Sequence, residues 1–93
     1  MSMFTTDEAR ELVPEVMRST LWIALVNMKN PSFSQRFDLS ALHENGKNYQ
    51  HIVHTQKGSE YRKEYKIEFE TPMGRSTVYI IGFGKHWLMM LTP

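Results

Sequence analysis

Cysteine is absent from the sequence, which excludes a disulfide framework, a thiolate nucleophile, a Cys-ligated zinc site and an iron–sulfur cluster. Net charge is nearly absent too: eleven Lys and Arg against ten Asp and Glu leave +1, too little for a global electrostatic case for nucleic acid. Long apolar runs are missing. The longest helical one, Leu21 to Met28, falls well short of the ~20 residues that cross a bilayer. The opening Met1-Ser2-Met3-Phe4-Thr5-Thr6-Asp7-Glu8 lacks the basic start and apolar stretch of a secretion signal, so a cytoplasmic protein without a membrane partner is expected. The five Gly and four Pro fall singly at places that read as element boundaries, and no repeat or linker divides residues 1–93, which are expected to form a single domain.

What is present is enough for one layer of packing. Hydrophobic residues make up 41% of the 93 positions, with five Phe, four Tyr, two Trp and seven Met supplying the bulk. Thr5 followed three residues later by Glu8 has capping-box spacing and predicts a short helical turn at the N-terminus. Pro14 suits a first helical turn, and from there Met17, Leu21, Ala24, Leu25 and Met28 form a stripe of helical period that ends at Asn30-Pro31. Trp22 and Val26 flank this stripe and are expected to be covered by wider core packing.

After Pro31 the period becomes two. Phe33, Phe37 and Leu39 alternate with Ser34, Arg36, Asp38 and Ser40, with Gln35 on the apolar side, and Asn45-Gly46 predicts a hairpin turn into a strand over Tyr49–Gln56. Neither side of that second strand is cleanly apolar. Tyr61, Lys63, Tyr65, Ile67 and Phe69 then alternate with Arg62, Glu64, Lys66, Glu68 and Glu70, and two further strands follow over residues 76–83 and His86–Thr92. The expected fold is α+β: one main helix, plus the N-terminal turn, on one face of a mainly antiparallel five-stranded sheet whose other face is more polar. The last strand, with Trp87, Leu88, Met89, Met90 and Leu91, is apolar on both faces, as suits either a central strand or an edge that forms a homodimer.

No pattern of reactive groups stands out. The histidines at 43, 51, 54 and 86 lack metal-ligand spacing, and His51 and His54 would point to opposite faces of a strand. No Ser sits in a Gly-x-Ser-x-Gly elbow, and Gly82-Phe83-Gly84 precedes a strand and not a helix, so neither an acyl-transfer site nor a phosphate cradle is implied. No catalytic residue, metal or cofactor is expected. Residues 47–66 carry Lys47, Lys57, Arg62, Lys63 and Lys66 against Glu60 and Glu64, with His51 and His54 besides, a mild basic excess beside several Tyr.

The order Val13-Pro14, Leu21-Trp22, Phe37-Asp38-Leu39, His54-Thr55-Gln56, Glu60-Tyr61-x-Lys63-Glu64-Tyr65 and Val78-Tyr79-Ile80-Ile81 resembles the bacterial and phage family known as domain of unknown function 960. Lys57-Gly58-Ser59 stands where that family usually has an acidic residue and a proline after the glutamine. The resemblance implies a small α+β protein of mobile-element settings and carries no activity, ligand or catalytic residue with it. The expectation is a non-enzymatic interaction protein that binds and modulates a host or defence protein, a class that includes anti-CRISPR-type inhibitors. Its candidate binding residues are His54, Gln56, Lys57, Arg62, Glu64 and Lys66, of which His54, Gln56, Arg62, Glu64 and Lys66 are expected together on the polar face of the sheet. The alternative is a nucleic-acid-binding domain that uses the basic 47–66 region.

Overall fold

A computed structural model describes residues 2–92. In chain order they form β1 (Ser2–Thr5), α1 (Asp7–Leu12), α2 (Glu15–Val26), β2 (Ser34–Glu44), β3 (Lys47–Gln56), β4 (Arg62–Glu68), β5 (Ser76–Phe83) and β6 (His86–Met90). The strands lie in the order β1-β6-β5-β2-β3-β4, antiparallel throughout except for β1, which runs parallel to β6. The fold class is α+β as expected, but among the described residues the sheet has six strands and not five, and there are two helices.

The sixth strand is β1, four residues too short to show a period. It pairs Met3 with Trp87 and Phe4 with Leu88, so the chain begins in the sheet before it turns into helix. The cap is Thr6 and not Thr5: the Thr6 hydroxyl accepts from the Ala9 amide at 3.2 Å, one residue later than the capping-box spacing suggested. Val13 is the C-cap of α1, and the chain turns there into α2 with Pro14 as N-cap. The expected start of the main helix is therefore met to within a residue.

Helix α2 buries Met17, Leu21 and Leu25 against the sheet, one turn apart, which is the spacing that keeps side chains on one helical face. Trp22, Ala24 and Met28 pack against that core from its flanks. Val26 does not: it is exposed, as are Val16 and Ile23, so wider core packing covers Trp22 only. A single helix on a flat sheet buries a narrow arc, and these residues lie outside it.

The two-residue turn Asn45-Gly46 has positive φ at both positions, +50° and +77°, the backbone that matches the twist of a tight hairpin. This turn sets the β2–β3 register, pairing Glu44 with Lys47, Leu39 with Ile52 and Phe37 with His54. The core is built on that register. Phe37, Leu39, Ile52, Val78, Ile80 and Met89 project from the covered side of four adjacent strands against Ala9, Val13 and the α2 stripe. The last strand is not an edge, since β6 lies between β1 and β5; its Trp87 and Met89 point to the covered side, and Leu88 and Met90 point to the side without a helix. Among the described residues no helix is long and apolar enough to cross a membrane.

Candidate functional site

The six candidate binding residues do not share one surface. On β3, Gln50, Ile52 and His54 point to the covered side, where His54 is fully buried, and Gln56 follows it on the same side. Arg62, Glu64 and Lys66 belong to β4 and point the opposite way, each paired across from Thr55, Val53 and His51. Lys57 sits in the turn after β3, where its amide donates to the Ser34 carbonyl at 3.1 Å. Placing His54 and Gln56 on the polar face with the β4 charges is thus corrected: the hairpin register puts His54 opposite Phe37, and Phe37 is core.

On the covered side the polar groups form a closed chain. The His54 ring donates from Nε2 to Gln35 Oε1 at 2.7 Å. The Gln35 amide nitrogen donates to Gln56 Oε1 at 2.7 Å and to the Ser32 carbonyl at 2.9 Å. Gln56 Oε1 also accepts from the Ser32 amide at 2.7 Å. Because Gln35 presents an acceptor, Nε2 must carry the proton, and Nδ1 is left as a buried acceptor without a partner among the described residues. Phe37 stacks on the ring at 4.2 Å between centroids and Tyr61 meets it edge-on at 5.0 Å. Burial, and after it the positive charge of Lys63 across the β3–β4 ladder, lower the His54 pKa to about 4. His54 is a neutral structural histidine. Gln50 has a comparable role farther along: its amide donates to the Ser40 and Met73 carbonyls, and its carbonyl accepts from the Met73 amide, tying the β4–β5 connection down.

The other side of the sheet carries no helix, and its character changes across its width. Towards β1, β6 and β5 it is apolar: Phe4 is paired beside Leu88, Leu88 beside Ile81, and Met90 beside Tyr79, with Phe83 exposed at the end of β5. Towards β2, β3 and β4 it is a field of ion pairs and hydrogen bonds. Arg36 pairs with Asp38 at 3.1 Å, and Asp38 accepts from the Thr77 hydroxyl at 2.8 Å. Lys66 pairs with Glu44 at 2.7 Å and lies over the Tyr49 ring, while Lys47 pairs with Glu68. Arg36 over Tyr79 joins the two halves.

Within this field Ser40, His51 and Glu64 form a line that sequence spacing did not reveal. Ser40 Oγ is 3.4 Å from His51 Nδ1, and His51 Nε2 is 3.1 Å from Glu64 Oε2. Hydrogen bonding from His51, and then from Arg62, holds the Glu64 carboxyl below the usual carboxylate range. A hydroxyl, an imidazole and a carboxylate in a row have the composition of an acyl-transfer relay, but 3.4 Å is long for proton transfer and all three stand on paired strands of an open surface. The line serves as a cross-strand ladder. Among the described residues no three His, Asp or Glu converge as metal ligands would.

A cleft of about 230 Å³ opens between α2 and the β3–β4 side of the covered face. Leu21, Ala24, Phe37 and Ile52 form its floor, and Ile23, Tyr61, Lys63 and Tyr65 stand around its mouth. Burial, followed by the neighbouring Tyr65, raises the Tyr61 pKa.

The fold has a counterpart among solved proteins. A crystal structure from Enterococcus faecalis, described as a protein of unknown function, superposes with a TM-score of 0.75 at 18% sequence identity, covering 98% of this chain and 87% of that one. At that identity the likeness concerns the fold alone. No protein-family model and no curated protein matches the chain.

Proposed function

We propose that the protein is a non-enzymatic interaction module that binds and modulates another protein through the uncovered face of its sheet. The observation that carries this reading is the composition of that face. An apolar corner of Phe4, Ile81, Phe83, Leu88 and Met90 merges into an ion-paired field that contains Arg36, Arg62, Glu64 and Lys66. An apolar centre beside a polar rim on a rigid element is the usual anatomy of a protein interface. Of the six candidate residues, Arg62, Glu64 and Lys66 keep a binding role in this reading, and His54 and Gln56 become its structural support. A host or defence protein is the proposed partner, on the ground of the mobile-element settings that the resemblance to domain of unknown function 960 implies.

Nucleic acid is the weaker reading. The basic excess of residues 47–66 is divided between the faces, with Lys63 beside the α2 cleft and Arg62 and Lys66 on the open side. Lys47, Arg62 and Lys66 are each already paired with a carboxylate, which leaves little charge to neutralise phosphates.

Affinity capture of the tagged protein from extract, with and without nuclease, separates the two readings. A protein retained after nuclease treatment, and weakened by Arg62→Glu with Lys66→Glu, is the expected result. Retention of nucleic acid alone, or of proteins lost after nuclease, would reverse the ranking.

A further inference from the structure

We propose that the cleft between α2 and strands β3 and β4 binds a small amphipathic carboxylate, with its apolar body between Leu21, Ala24 and Ile52 and its head group at Lys63. This goes beyond the protein-partner reading and stands without it, because the cleft is on the opposite side of the sheet.

The size and the lining select the ligand. A dry cavity of about 150 Å³ lined by aliphatic and aromatic side chains holds benzene, so one of about 230 Å³ takes a body of roughly nine heavy atoms. The floor is apolar, and Lys63 is the one charged residue in the lining. Every other polar side chain around the cleft is neutral: the Thr20 hydroxyl, which already donates to the Val16 carbonyl at 2.8 Å, the tyrosine hydroxyls, and the Asn27 amide, which can donate to an anion at the mouth. His54, behind the Phe37 and Tyr61 walls, adds no charge at neutral pH.

Lys63 is available for this role. The open-face cations Arg36, Lys47, Arg62 and Lys66 are each paired with a carboxylate, whereas among the described residues no carboxylate lies within ion-pair distance of Lys63. Its ammonium rests 5.6 Å from the centre of the Tyr65 ring, at the mouth. A cation on a strand pointing to the helix-covered side, where its alternating partners Tyr61, Tyr65 and Ile67 are apolar or amphipathic, is out of place as simple surface charge. An anionic head group at the end of an apolar tail complements it, and a neutral or cationic head does not.

The test is a titration followed by amide NMR with three probes of one chain length: octanoate, 1-octanol and octylammonium. Octanoate should give saturable shifts centred on Ala24, Ile52 and Tyr65, with octylammonium the weakest of the three. Lys63→Gln should weaken octanoate about fivefold, the most that one partly exposed ion pair contributes, while leaving 1-octanol unchanged. Ala24→Leu, which fills the floor, should remove binding of both without loss of the cooperative thermal transition. Absence of saturable shifts with octanoate, shifts centred elsewhere, or an octanoate affinity indifferent to Lys63→Gln would overturn the proposal. Lys63 is exposed, so its variant keeps the test decisive even if Ala24→Leu fails to fold.

Discussion

His51 and His54 lie three residues apart on one strand and live in opposite worlds. His54 is sealed between Phe37 and Tyr61, neutral, with its one N–H committed to Gln35. His51 is on the open side in a hydrogen-bonded line with Glu64 and Ser40. Strand geometry alone produces the contrast, since an odd spacing sends side chains to opposite faces. The covered face of β3 is therefore where changes should cost stability, and the open face is where changes should alter binding and leave the fold intact.

The largest effect expected from this contrast is that of Phe37→Ala. It removes a fully buried ring that also stacks on His54, and a loss of about 3–5 kcal/mol in chemical denaturation is expected. A loss close to that of an ordinary surface substitution would mean that the core is not centred on this pair.

Acid should act next. Unfolded, His54 takes a proton near its ordinary value of 6.5; folded, only near about 4. The unfolded chain binds more protons between those values, so stability is full above pH 6.5 and falls as the pH drops towards 4. The loss is on the order of 3 kcal/mol across that window. His54→Gln keeps an amide donor at the right reach and should flatten this slope, whereas His51→Gln should leave it. An equal slope in both variants would place the titration elsewhere.

Gln35→Leu comes third. It strands the His54 Nε2 proton in an apolar setting, with an expected cost of about 1–3 kcal/mol, and changing both Gln35 and His54 to leucine should recover part of it. On the open face His51→Ala should shift the unfolding midpoint least, by no more than about 0.5 kcal/mol. A larger effect there would mean that the Ser40–His51–Glu64 line does more than pair strands.

Much of the fold was legible in sequence, for identifiable reasons. The α2 stripe and the alternation of β4 are strong periodic signals, and Asn45-Gly46 is a turn with one favoured backbone. The burial of His54 was within reach as well: a two-residue turn there pairs Glu44 with Lys47 and, counting back along the hairpin, Phe37 with His54. The mixed composition of β3 hid this, because Gln50 and His54 look polar one at a time and are satisfied only by Ser40, Met73 and Gln35, partners distant in sequence. β1 was missed because four residues carry too little period and its parallel pairing with β6 is a long-range choice. The apolar corner was missed for the same reason, since Phe4, Ile81, Phe83 and Leu88 come from three strands that only the sheet order brings together.

The open face and the exposed side of α2, with Val16 and Ile23, are rival surfaces for a partner. The most direct test is to capture the nuclease-resistant partner with three proteins: wild type, Phe4→Ser with Phe83→Ser, and Val16→Ser with Ile23→Ser. All four side chains are exposed, so the thermal transitions of the variants should match the wild type. Loss of the partner with the Phe4 and Phe83 pair, and its retention with the helix pair, is the result this account expects. Retention by the Phe4 and Phe83 variant at wild-type level would contradict it.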